Sequence, residues 1–264
     1  MIVDASRPSV ARMYDHLLGG TDNYQVDRKA CEELLRLAPS SRELARVNRA
    51  FLIRAVRYLA REQGVRRFLD HGAGLPTRPN VHQVAQDVDP TSEVVYIDND
   101  PAVLAHGEMM LAEDPRTTAV LNADIRETTE IFESRAVRRL LRGDQPVAAL
   151  FVSVLHCIPD DHDPWELVRA VSQQLPRGSY LVIAQLVSDD PELRGSITDF
   201  MQKITGDSWG KVRSTSEVDR FFEGLDLLEA PGPVEVSRWL PESDLAPRQR
   251  SQEWIEYGGV ARIS

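Results

Sequence analysis

The chain has 264 residues, 42% hydrophobic and 27% charged, with a formal net charge of −10, enough apolar sequence for one substantial core. That charge argues against a general nucleic-acid binder, which needs a basic face to gain from counterion release; Arg138, Arg139 and Arg142 form a basic run that reads as a solvated helix face. No run approaches the ~18 apolar residues of a membrane-spanning helix, residues 1–7 do not begin with a basic-then-apolar signal, and Cys31 and Cys157 lie far apart without metal spacing, so a cytoplasmic protein with free thiols, no metal and no membrane partner is expected.

In chain order, residues 1–64 read as a helical extension and 65–264 as a Rossmann-like core, together a single domain. Gly19-Gly20-Thr21-Asp22-Asn23 reads as a turn between two helices. Leu44, Val47, Phe51, Ala55 and Leu59 recur at three- and four-residue steps, giving one apolar face to a helix that Ser40 or Ser41 can cap and Gly64 can end. Strands are expected near 66–70, 93–98, 117–122, 147–154 and 178–186. Helices are expected near 79–88, 101–113, 131–142 and 163–174, and Asp100-Pro101 makes a good helix start. This alternation implies a doubly wound, mostly parallel α/β sheet with helices on both faces. Glu192–Ile204 and Ser216–Phe222 read as further helices, Leu225–Glu229 and Glu253–Ile263 as final strands. Pro231, Pro233, Pro241 and Pro247 mark 231–250 as a loop over the sheet's end.

The first strand runs into Asp70-His71-Gly72-Ala73-Gly74-Leu75-Pro76-Thr77. An acid and two glycines at the carboxyl end of a strand sit where open α/β sheets bind nucleotide-like ligands. Glycines let the backbone approach the ligand, and an acid accepts from a cationic group. The next strand ends in Asp98, 28 residues on, the place of a ribose-binding acid, and a third apolar run ends at Asp124-Ile125. A dinucleotide fingerprint needs a third glycine where Thr77 stands, which disfavours a nicotinamide oxidoreductase. The acid before Gly72 suits an ammonium-bearing ligand such as S-adenosylmethionine rather than a diphosphate.

These motifs resemble those of class I S-adenosylmethionine-dependent methyltransferases. Together with the stretch Pro8–Tyr24, which contains Leu17-Leu18-Gly19-Gly20-Thr21-Asp22-Asn23, with Asn48–Leu52, Gly72–Thr77, Val95–Pro101 and Val154–Asp161, the chain resembles one family of S-adenosyl methyltransferase-like proteins first catalogued as a domain of unknown function. The resemblance covers almost the whole chain; His71 departs from it, standing where a small or aliphatic residue is expected. It implies a seven-stranded sheet whose last strand runs antiparallel, S-adenosylmethionine as cofactor and S-adenosylhomocysteine as product. It assigns Asp70, Gly72, Ala73 and Gly74 to the methionine end, Asp98 and Asn99 to the ribose, and Asp124 with Ile125 to the adenine, with Ser153 at the adenosine.

On this reading the Gly-Gly turn folds over the donor as a lid, with Tyr14, Gly20 or Asn23 touching the methionine moiety; a plain helix–helix turn with Tyr14 as packing anchor is the alternative. Arg49 pairs with the donor carboxylate, or with Asp15 or Asp22. His156, at the end of the fourth strand, is either a general base or a pocket-shaping residue. Trp209 and Trp239 are candidates for an acceptor wall. No Asn/Asp-Pro-Pro-Tyr/Phe motif is present, which favours a small-molecule acceptor. The competing function is a donor-binding sensor or accessory protein, for which a closed or missing acceptor pocket is expected. Monomer and homodimer both stay open.

Overall fold

The computed structural model describes residues 3–110, 114–230, 232–241, 249 and 253–264. Three helices come first: α1 (Val10–Leu18), α2 (Gln25–Leu37) and α3 (Ser41–Arg61). Then β1 (Arg67–His71), α4 (Val81–Gln86), β2 (Glu93–Asp98), α5 (Pro101–Met110), β3 (Thr118–Asn122), α6 (Thr128–Glu133), α7 (Arg135–Leu140), β4 (Ala148–Val152), α8 (Pro164–Gln174) and β5 (Tyr180–Val187) alternate. The chain closes with α9 (Pro191–Thr205), α10 (Thr215–Asp219), β6 (Asp226–Leu227), β7 (Val234–Glu235) and β8 (Ile255–Arg262).

The strand order is β3-β2-β1-β4-β5-β8-β6, parallel through β5 and antiparallel at β8, as the resemblance implies. The two-residue β7 pairs with β8 in addition, so the sheet has eight strands rather than seven. It comes from the proline-broken stretch expected to be a loop: residues 234–239 lie along the sheet's edge and dock on α3, where Arg54 donates to the carbonyls of Val236 and Trp239. Pro231, Pro247 and the helix positions 111–113 lie outside the described residues. The helix expected over 131–142 is two, because Ser134, extended at φ −60° and ψ 148°, ends α6 and caps α7 through Val137 N–H.

Strand residues are buried on both faces, as a covered parallel sheet requires. Leu69, Ile97, Phe151 and Ile183 pack on one side, and Phe68, Tyr96, Leu150 and Val182 on the other. His71 fits this scheme: it is buried and its ring stacks on Phe151 with centroids 4.3 Å apart. At about 30 Å, α3 serves two layers. Phe51, Ala55 and Leu59 pack on the sheet, while Leu44 and Ala45 join a third cluster with Met13, Leu34, Met201, Trp209 and Trp254. That cluster lies beyond the strand ends and forms a roof. Neither Ser40 nor Ser41 caps α3 through its side chain: Ser40 bonds Glu253 and Ser41 bonds the Ala38 carbonyl, while Gly64, at φ +66°, follows the helix end.

Candidate active site

A cavity of about 500 Å³ lies between the carboxyl ends of the strands and the roof. The turn after β1 is tied to β2: Gly72 and Ala73 donate their N–H groups to the Ile97 carbonyl at 2.9 and 3.1 Å. Gly72 sits at φ +71°, and a Cβ there would overlap the Val154 side chain. Gly74, at φ +66°, would turn a Cβ into open space. Its bareness leaves the cavity floor free for a ligand's main body.

Asp70 and Asp98 are both nearly buried and line this floor. Burial pushes the Asp70 carboxyl up to about 7; Arg49 opposes the rise and Asp98 adds to it. Asp98 accepts from Gly74 N–H and Asp100 N–H, both at 2.9 Å, yet burial still raises it to about 6. The helix-cap role falls to Asp100, whose carboxylate accepts from Ala102 N–H at 2.7 Å. That leaves Asp98 facing the cavity. Asn99, Asp124 and Ile125 complete this end of the wall. Burial would raise Asp124, but Arg126 at 2.6 Å and Asn99 at 3.2 Å outweigh it and hold the group below its ordinary value.

The other end is apolar. α1 supplies Met13, Tyr14 and Leu17, α9 supplies Met201, and Trp209 and Trp254 complete the wall. Tyr14 borders the cavity, and it is also a packing anchor: its hydroxyl donates to the Ala45 carbonyl at 3.1 Å and accepts from Asn48 at 3.0 Å. Gly20 and Asn23 do not border the cavity. Asn23 instead donates to Asp15 at 2.7 Å and to the Gly20 carbonyl at 3.0 Å, and a Cβ on Gly20 would overlap the Asp15 carboxylate. The Gly-Gly turn thus serves packing, and its close approach is to this chain's own acid. α1 is fastened elsewhere: Ser9 donates to Asp100, and Arg12 pairs with the fully buried Asp27 at 2.8 Å. Arg49 bonds the carbonyls of Thr77 and Pro79 rather than Asp15 or Asp22.

His156 lies on the cavity, tilted against Trp209 with centroids 4.6 Å apart. Burial, helped by Arg213, pushes its pKa down to about 3, which makes it a weak base near neutrality. Its Nδ1 has no partner to orient the ring. The geometry therefore favours the pocket-shaping role over the base. Trp209 borders the cavity, whereas Trp239 is packed edge-on against Phe51 beneath α3 and takes no part.

Three residues that shape the site escaped the sequence reading. Arg213, fully buried, donates to the carbonyls of Leu155 and Ile158 and to Asp160, fixing the turn after β4. Gly210, in the loop after α9, lets the chain press on Ile158, where a Cβ would overlap the backbone. Glu256, on β8, accepts from Ser153 Oγ at 2.9 Å, so the hydroxyl expected at the adenosine is directed toward β8. Ser153 itself sits at φ 63°, an uncommon conformation for a residue with a side chain.

Acids at the carboxyl ends of β1 and β2 and just past β3, a bare glycine floor and this strand order define a class I S-adenosylmethionine-dependent methyltransferase. A family model described as S-adenosyl methyltransferase matches residues 1–264, and the chain belongs to that family. It is similar to a DUF574 family protein from Streptomyces avermitilis, with 36% identity, a TM-score of 0.90 and all of both chains covered. It is likewise similar to a candidate methyltransferase from Thermobifida fusca, with 38% identity and a TM-score of 0.90 over 99% of this chain and 97% of that one. An O-methyltransferase family protein from Burkholderia thailandensis, 14% identical at a TM-score of 0.50, shares the fold; the match covers 87% of this chain and 62% of that one. No curated protein matches. Among the described residues, no helix is long and apolar enough to cross a membrane.

Proposed function

We propose that the cavity is a two-part methyl-transfer site in a single cytoplasmic domain, with the donor over β1, β2 and β3 and a small-molecule acceptor under the roof. The observation that carries this is continuity: Asp70 and Asp98 border the same cavity as Met13, Met201 and Trp209. A sensor needs no acceptor chamber, so the chamber favours the enzyme. Cys31 and Cys157, both free, agree with a reducing compartment.

The residues suit the donor. Asp70 offers a buried carboxylate to an ammonium group, and no hydrogen bond is among the influences on its pKa. The Asp98 oxygens keep lone pairs for ribose hydroxyls with Asn99 beside them, Gly72, Ala73 and Gly74 leave the floor bare, and Asp124 and Ile125 flank the adenine. S-adenosylmethionine supplies an already activated methyl group. The protein's part is to hold the donor and acceptor in line, exclude water and accept a proton where the acceptor releases one.

Titration calorimetry with S-adenosylmethionine, S-adenosylhomocysteine and NAD tests the donor half. Both adenosyl compounds should bind, NAD should not, and Asp98→Ala should abolish or strongly weaken the binding. Failure of both adenosyl compounds to bind would refute the reading.

A further inference from the structure

Interior polar groups in folded proteins find partners almost without exception. Here six buried side-chain atoms without one belong to residues bordering the cavity: Asn48 Oδ1, Arg49 Nε, His156 Nδ1, Trp209 Nε1, Trp254 Nε1 and Glu256 Oε2. A buried, unmade hydrogen bond costs about 1–3 kcal/mol, and so many along one cavity point to a ligand that makes some of them.

Glu256 is the most demanding of the six. It is 1% exposed, Ser153 satisfies only its Oε1, and no ion pair compensates it among the described residues. Its place in the strand is well held: Gln249 bonds both its N–H and its carbonyl, at 2.6 and 2.9 Å. Asn48 is tied to Tyr14, and the negative charge of Glu256 is among the influences that raise the Tyr14 phenol, after burial. Two unpartnered acceptor oxygens, Glu256 Oε2 and Asn48 Oδ1, thus belong to residues that both act on the Tyr14 phenol and border the chamber.

That chemistry selects a ligand. An anion finds less welcome, because Arg126 is paired with Asp124 and Arg49, though its Nε is unpartnered, spends its Nη2 on the Thr77 and Pro79 carbonyls. A hydroxyl carries one hydrogen and can satisfy only one of the two acceptors. An amine nitrogen carries two, and Met13, Leu17, Met201 and the two indoles suit an apolar body. Resting on the two-part site above, we propose that the chamber binds a small apolar amine and that Glu256 is the catalytic carboxylate for its N-methylation.

In the transfer, Glu256 Oε2 and Asn48 Oδ1 accept the two N–H hydrogens, leaving the nitrogen lone pair to face the donor. The N–C bond forms as the S–CH₃ bond breaks, with that bond's electron pair remaining on sulfur. The nitrogen, now positive, passes one proton to the Glu256 carboxylate, giving a neutral methylamine, a carboxylic acid and the thioether. Glu256 returns the proton to water when the product leaves. Burial, which raises Glu256 to about 8, favours the step that protonates it.

The test uses three compounds with one body: 5-aminoindane, 5-hydroxyindane and indane-5-carboxylate. Each is titrated into the full chain saturated with S-adenosylhomocysteine. The amine should bind best, and Glu256→Gln should weaken it at least tenfold while leaving S-adenosylhomocysteine affinity unchanged, which also shows that the variant folds. Methylation of 5-aminoindane, whose aromatic nitrogen is unprotonated in the neutral range, should rise with pH around 8 in the wild type. Ser153→Gly, a change that suits φ 63° and removes the hydroxyl holding the carboxylate, should move that rise to higher pH. Stronger binding of the phenol or the carboxylate, no binding of any of the three, or Glu256→Gln binding the amine as well as wild type would overturn the proposal. So would amine binding without methylation. Loss of S-adenosylhomocysteine binding in the wild type would instead strike at the two-part site itself.

Discussion

Replacing Asp70 with Asn should make the ligand-free protein more stable while weakening its hold on the donor. The Asp70 carboxyl is 6% exposed, and burial moves it from an ordinary value of 3.8 to about 7. The folded state therefore binds this proton more tightly than the unfolded one, and stability falls as pH rises from 3.8 to about 7. At about 1.4 kcal/mol per pH unit, the full cost above pH 7 is about 4 kcal/mol, and at pH 5 it is under about 2 kcal/mol. An amide of the same shape carries no such cost. For a chain of this size 1 kcal/mol moves Tm by about 2–4 °C, so thermal unfolding should show a gain of several degrees or more at pH 8 that at least halves at pH 5. Calorimetry on the same variant should show S-adenosylmethionine bound at least tenfold more weakly, because its ammonium loses a buried countercharge. A Tm gain equal at the two pH values, or a loss at pH 8, would refute the account of Asp70 as a carboxylate held at a cost for its ligand.

Arg12→Met should destabilise the chain by about 3–5 kcal/mol, seen as a lower urea midpoint, because Asp27 is fully buried and would lose its charge partner. Gly72→Ala should weaken S-adenosylhomocysteine binding and lower Tm, since its Cβ meets Val154; Val154→Ala should restore part of both, with the remainder set by the backbone strain at φ +71°. Asn23→Ala should lower Tm by freeing the buried Asp15 from its hydrogen bond, yet leave donor affinity within about twofold in calorimetry, as expected of a residue off the cavity.

How far this was legible in the sequence depended on how local the determinants are. The strand ends at Asp70 and Asp98 could be read because a few consecutive residues hold both the strand and the turn. Asp100-Pro101 could be separated from Asp98 because helix caps have their own chemistry, and the structure shows that separation in the Ala102 N–H bond. Asn23 and Gly20 could not be resolved from sequence, because a Gly-Gly turn reads the same whether it receives a ligand or the chain's own carboxylate, here Asp15. Glu256 was hidden inside a correctly placed strand: burial on both faces blurs strand alternation, and only the cross-sheet bond to Ser153 distinguishes it. Trp209 and Trp239 both sit in late sequence punctuated by glycine or proline, and only tertiary packing sends one to the cavity and the other beneath α3.

The last long strand, β8, lies between β5 and β6, and this gives the site an order of assembly. The donor floor comes from β1 through β3 and their turns, a nearly local stretch that can form while the rest of the chain is still searching. The acceptor chamber joins Met13 and Tyr14, near one end, to Trp254 and Glu256, near the other. Contacts across such separations carry the largest loop-closure cost and form slowly. A partly folded chain would then acquire its donor floor before it has anywhere to put an acceptor, and competence for methyl transfer would mark completion of the fold.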